Sequence, residues 1–408
     1  MGDLIAYAYE NNPSILEARE AWKAVVEDYR LTTGYPDPEL RVTYFPEPIE
    51  TRLGPQDWTA TLNQKIPFPG KLTKAGDVVE AEARVARIGL DRTVKGVIAS
   101  VRLSYYELLY IRTAQEVAAR NLDLLNHLRK VGETAYARDR AALIDMVKAQ
   151  SQVGQLRYDG ILLDELERTE ETRLNGLLNR PPEARIGRLV EQAFQPLAFD
   201  LEQLYRLAEA NQDEIRTARA MVERAGARVD LARFENLPDF NLGLFYASIG
   251  EPDMPVRPQN AGRDALGVQF GMTIPLWFEK NRGRLGRAQA EMRKAQAAET
   301  DSINEIRTKV HQIFFRLQNA NRLVVLYRDD LLPQAMRAIE IAETWYREGE
   351  SSLSDFVETQ SVYYNFQLSL ARARANYGKY LARLEQLVGQ TITKTSGASY
   401  ENGQGEMK

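Results

Sequence analysis

Residues 58–71, WTATLNQKIPFPGK, decide the reading of this chain. Trp58, Ala60, Leu62 and Ile66 fall on one side of an alternating segment and Thr59, Thr61, Asn63 and Lys65 on the other. That is the period of a strand with one apolar face. Pro67-Phe68-Pro69-Gly70 stops the alternation, and a very long helical pattern starts at Lys71. The arrangement occurs twice. Residues 266–281, LGVQFGMTIPLWFEKN, repeat the alternation, the Ile-Pro junction (Ile66-Pro67, Ile274-Pro275), the aromatics beyond it and the long helix after them.

The duplication covers nearly the whole chain. Asn11, Ile15, Ala18 and Pro38 match Asn211, Ile215, Ala218 and Pro238 at an offset of 200. The offset is 208 at Pro67 and Pro275, and 209 where Tyr105-Tyr106 meet Phe314-Phe315. It is 210 for Tyr136, Leu143, Asp145 and Gln150 against Tyr346, Leu353, Asp355 and Gln360. A period this long describes a duplicated module, with the drift in offset expected in the loops. Residues 1–200 form the first repeat, 201–390 the second, and 391–408 a polar tail.

Composition narrows the function. With 53 basic and 57 acidic residues the net charge is −4, so no bulk field favours nucleic acid. There is no cysteine, and His127 and His311 are the two histidines, which removes zinc-finger, thiol-nucleophile and disulfide readings. Carboxylates and arginines at helical spacing read as solvated faces, so no catalytic residue, metal ligand or cofactor site is assigned. No apolar run is long enough for a spanning helix. Met-Gly-Asp leads directly into an amphipathic helix. Either the sequence begins after an export signal or the protein stays in the cytoplasm.

In order, the pattern predicts a helix over 3–33 bent at Pro13, and a hairpin over about 39–66 with a long Pro-rich loop (Pro46, Pro48, Pro55). A helix from 71 to about 131 and a return from 143 to 178 follow, with a break at 138–140 between them. Pro181-Pro182 leads into a connector to residue 200 that packs outside the helices. The second repeat predicts a helix over 201–234 and a hairpin over about 239–274. A helix from 283 to about 348, kinked at Pro333, and a return over 353–388 complete it. About sixty residues of helix span roughly 90 Å, so the long helices require a coiled-coil-like array to cover their stripes.

The four strands have the length of tilted membrane strands, about nine to eleven residues. Aromatics stand at both ends, Tyr44, Trp58 and Tyr246 by the loops and Phe68, Trp277 and Phe278 by the helices. Four strands cannot close a barrel, and lipid tolerates no open edge. If they span a membrane, several chains complete one barrel. On that reading Leu266, Val268, Phe270, Met272 and Ile274 face lipid, while Gly267, Gln269, Gly271 and Thr273 face the lumen. The rival reading is a soluble coiled-coil scaffold, which leaves the aromatic-edged hairpins unexplained.

Several stretches together resemble the TolC-type outer membrane factors: QKIPFPGK at 64–71, Asn12-Pro13, YYELLY at 105–110, LNGLLNRPP at 174–182 and the duplicated turn-plus-Asp segments. The resemblance spans residues 3–390. It implies a mainly α chain in a homotrimer, with four transmembrane β-strands per chain completing a twelve-stranded barrel. It also implies a long α-helical barrel in the periplasm, docked to a periplasmic adaptor and an inner-membrane pump. The function implied is the outer-membrane exit duct of a drug or heavy-metal efflux, or a secretion, system. A leader and the anchoring cysteine of some members are missing.

By the same resemblance Asp355 matches the first acid of the family's periplasmic constriction, and Glu358 falls where the second lies. A ring of six carboxylates would favour cations, and the crowding would raise its proton affinity. Ser352, Ser354 and Asp355 also read as a helix N-terminus, where an acid is stabilised without any gate. The helix reversals are the adaptor-docking candidates, with Arg138, Asp139 and Arg140 in one and Glu350, Ser351 and Ser352 in the other.

Overall fold

The computed structural model describes residues 1–136, 143–191, 197–256 and 258–393. Arg138, Asp139 and Arg140 and the tail beyond 393 lie outside the described residues. The chain divides into two compact units, one of helices (1–17, 90–215 and 303 onward) and one holding the sheet (18–89 and 216–302).

Each repeat opens with two helices where one was expected, α1 (Gly2–Asn11) and α2 (Pro13–Thr33), and then α5 (Leu201–Asn211) and α6 (Asp213–Phe234). The break has the same cause in both. Asn12 and Gln212 take extended backbone (ψ 123° and 127°), and each side-chain oxygen then accepts an amide two residues on, from Ser14 at 3.0 Å and Glu214 at 3.1 Å. Such local capping competes with helix continuation and ends it.

The long helix α3 (Lys71–Tyr136) runs uninterrupted, and its return is α4 (Leu143–Leu177). Val97, Val101, Tyr105, Leu108, Ile111, Leu125 and Leu128 are buried along α3 at mostly three- and four-residue steps, the stripe that lets it pack along its length. The connector is fastened to these helices. Arg112 on α3 reaches Glu167 (2.7 Å) and Glu171 (2.8 Å) on α4 and the carbonyls of Ile186 and Gly187, while Tyr105 Oη donates to Val190 O at 2.6 Å.

The second repeat differs inside its long helix. α7 (Phe278–Val325) passes through a π-helical turn at Leu326–Leu331 into α8 (Leu332–Glu348). The sequence placed all drift between the repeats in loops. The step from 209 to 210 falls instead between Phe315 and Tyr346, where the wider turn takes up one extra residue just before Pro333. Gly349, left-handed at φ 79°, ends α8, and α9 (Leu353–Val388) returns. Two apolar clusters hold the helical unit, one around Leu125, Leu128, Leu156, Leu353 and Phe356, the other around Leu204, Ile215, Ile306, Phe314, Leu384 and Val388.

The strands form one antiparallel sheet in the order β1 (Glu39–Thr51), β2 (Gly54–Ile66), β3 (Phe240–Ile249), β4 (Ala265–Met272). The expected long loop in the first hairpin is absent. Pro46 and Pro48 lie within β1, an edge strand that can spare their amides, and the register shifts between Tyr44 and Ile49. The repeats meet at β2 and β3, paired from Trp58 with Ser248 to Ile66 with Phe240.

Candidate functional site

Register sorts the sheet into two faces. Val42 pairs with Ala60, Ala60 with Tyr246 and Tyr246 with Leu266; Leu40, Leu62, Leu244 and Val268 form the next row. Because strand side chains alternate, all of these lie on one side, with Tyr44, Trp58, Phe240, Leu242, Phe270 and Met272. Leu266, Val268 and Phe270 are 80, 73 and 73 % exposed, so among the described residues nothing covers this part of the face. The rings of Trp58 and Tyr246 stand 5.0 Å apart towards its loop end. Arg41, Thr43, Thr59, Thr61, Asn63, Lys65, Asn241, Gln269 and the glycines Gly243, Gly267 and Gly271 take the other side, with Phe245, Ala247 and Ala265 among its apolar exceptions.

Two residues expected in β4 fall beyond it. Met272 is paired with Phe240, where β3 begins, so Thr273 and Ile274 have no further strand residue to pair with. The Thr273 amide bonds the Asp239 carbonyl at 2.8 Å, and Ile274 is exposed.

Asp239 organises the passage from sheet to helix. Its carboxylate meets Lys71 Nζ at 2.5 Å and Lys65 Nζ at 3.1 Å and accepts the Phe68 amide at 3.2 Å. Burial pushes this carboxyl up, but the Lys71 and Lys65 hydrogen bonds and the Phe68 amide outweigh it and hold it below its ordinary value. Gly70 is left-handed at φ 88°, and a Cβ there would stand 2.8 Å from Phe234 Cε1. The Pro-Phe-Pro-Gly-Lys stretch is therefore a fitted corner.

At the other candidate site Ser352 caps α9. Its hydroxyl accepts the Asp355 amide at 3.1 Å, and Asp355 Oδ2 accepts the Ser352 amide (3.1 Å) and hydroxyl (2.8 Å). These Ser352 hydrogen bonds, helped by Lys148, hold the Asp355 carboxyl below its usual value. Glu358 is exposed one turn on, on the same side of α9, while Leu353, Phe356, Val357 and Gln360 are buried on the opposite side. Glu350 is exposed at the reversal and Ser351 and Ser352 are half-buried.

The first repeat contributes groups that the sequence did not single out as functional. Lys148, at the repeat position of Glu358, donates to Ser354 Oγ at 2.6 Å. Asp145, at the position of Asp355, is buried, and its charge adds to burial in raising the Tyr346 hydroxyl's pKa. Further along, Gln360 Nε2 donates to Asn121 Oδ1 and Asn121 Nδ2 to Gln367 Oε1, both at 3.0 Å. The repeat offset of 210 was the available signal. It pairs Asp145 with Asp355, but cannot say that one is buried and the other capped.

The sheet is apolar on one face, polar on the other and open at its β1 and β4 edges among the described residues, and a long helix follows each hairpin in sequence. Residues 204–390 match the family model of the outer membrane efflux protein. A relative, the pyoverdine export outer membrane protein OpmQ of Pseudomonas aeruginosa, is 25 % identical over 301 residues, 70 % of this chain and 60 % of its own length. The chain thus spans less than two thirds of that relative. A membrane protein from Pseudomonas aeruginosa superposes with a TM-score of 0.80 at 15 % identity, covering 95 % of this chain and 93 % of that one. The outer membrane protein VceC of Vibrio cholerae gives 0.78 at 18 %, covering 96 % of each.

Proposed function

We propose that three copies of this chain form the outer-membrane exit duct of a tripartite efflux or secretion system. The duct is a passive conduit for small molecules or metal ions expelled by an inner-membrane pump and passed on through a periplasmic adaptor. The observation that carries the reading is the exposed apolar face of the four-stranded sheet. In water it is a liability, whereas in lipid it is the required surface, with Leu266, Val268, Phe270 and Met272 outward and Gly267, Gln269 and Gly271 lining the lumen. Ile274 extends the lipid-facing row and Thr273 the lumenal one. Asp355 and Glu358 form the periplasmic gate, and Glu350, Ser351 and Ser352, with Arg138, Asp139 and Arg140, meet the adaptor. The relative named for pyoverdine export supports an exported small molecule as cargo.

Reconstitution tests the reading. The detergent-purified chain mixed with lipid should float with vesicles and give stepwise conductance in a planar bilayer. A chain that stays with the soluble fraction and leaves the bilayer silent is a scaffold, and the duct reading is then wrong.

A further inference from the structure

The internal duplication specifies how one copy meets the next. The β2–β3 pair is the seam between the end of one repeat's hairpin and the start of the other's. The unpaired edges, β4 and β1, are the corresponding end and start. We infer that β4 of one copy pairs antiparallel with β1 of the next in the register of β2 with β3, setting Met272 opposite Val42, Phe270 opposite Tyr44 and Ile274 opposite Leu40. The inference rests on the assembly proposed above and supplies its register.

The pairs follow from shifting β2 by 208 residues and β3 by 200. Ile66 with Phe240 becomes Ile274 with Leu40, and Gln64 with Leu242 becomes Met272 with Val42. Three observations agree with this register. Leu40, Val42, Tyr44, Phe270 and Met272 stand on the apolar face and Ile274 continues their alternation beyond β4, a match that a slip of one residue would undo. The strand tilt is also right. Following partners from Val42 to Ala60, Tyr246 and Leu266, then across the seam to Pro48, returns to β1 six residues along. Six residues at about 3.4 Å against four strand spacings of about 4.8 Å is a tilt of about 45°, as a closed membrane barrel needs.

The third observation lies beside the sheet. At the internal seam Gly70, at the start of α3, fits under Phe234, at the end of α6. The same shifts turn this pair into Phe278, which is 74 % exposed, and Gly34, which is exposed on the next copy. Large and small have exchanged places, so the volume at the contact is kept. Trp277, exposed beside Phe278, belongs to the same bare corner.

The chain lacks cysteine, so pairs can be introduced without background. Directly opposed strand residues have Cα atoms about 4.5 to 5.5 Å apart, within disulfide reach; a slip of four residues puts them beyond it. Full-length Val42→Cys/Met272→Cys, purified in detergent and oxidised, should shift on a denaturing gel to covalent dimer and trimer, while Val42→Cys/Val268→Cys should not. Phe278→Ala should reduce the trimer fraction in native mass spectrometry, and adding Gly34→Phe should restore it. A native trimer that cross-links only through the Val268 pair overturns the register and leaves the assembly standing. A chain that is monomeric in lipid nanodiscs overturns both.

Discussion

Lys148 of the first repeat and Ser354 of the second are joined at 2.6 Å, one residue before Asp355. The positive group thus stands where the duplicated position carries Glu358, and it helps hold Asp355 ionised. The acidic gate proposed above would be built from one repeat and braced by a cation from the other. Asp355→Asn with Glu358→Gln keeps side-chain size and much of the cap. Single-channel recording should show weaker cation preference and loss of block by a trivalent ion, with thermal stability little changed. Persistence of both in the double variant places the constriction elsewhere.

The cap has its own pH signature. Asp355 is held below its unfolded value, so its contribution is present above about pH 4 and is lost as pH falls through the lower folded pKa. Protection of the amides in the first turn of α9, taken relative to the intrinsic exchange rate at each pH, should fall on acidification below about pH 4 in the native chain. In Asp355→Asn that acid-dependent change should be absent.

On the sheet, Val268→Arg or Phe270→Arg should cost about 2 to 4 kcal/mol near the bilayer midplane, read as loss of trimer from membranes. Gln269→Arg, on the opposite face, should be tolerated. Equal tolerance at the two faces removes the lipid-facing assignment.

Gly70→Ala tests the corner. The alanine would hold a left-handed backbone and press on Phe234, so the melting temperature should fall by an amount equivalent to about 1 to 2 kcal/mol. Phe234→Ala in the same chain should recover the steric part and leave the backbone part.

The sequence carried the plan because the plan is periodic. Alternation at 266–272, the stripe of α3 and the offsets between repeats all repeat often enough to be read without coordinates. Asn12 and Gln212 escaped because a helix break made by a side chain accepting its neighbour's amide leaves no periodic trace. Pro46 and Pro48 suggested a loop because a proline's tolerance depends on whether its strand is an edge, which only the sheet order decides. The same limit applies to the gate. Asp355 could be read as gate or as cap; the geometry shows that it is a cap within each chain, and the two roles are compatible.

The π-helical turn at Leu326–Leu331 has a consequence for how such a wall tolerates change. An added residue normally rotates everything beyond it by about 100°, which would carry a buried stripe out of register. Here Ala335 and Ile339 beyond the turn remain buried, so the error is confined to one loop of backbone. Removing Asp330 should therefore heal the helix and leave the melting temperature within about 1 kcal/mol of the parent. Removing Arg120 from the unbroken α3 should turn Leu125 and Leu128 away from their core, at roughly 2 to 5 kcal/mol each. A duplicated helix with one such slack turn can accept length changes that its twin must refuse, so indels should accumulate in the second wall and be purged from the first.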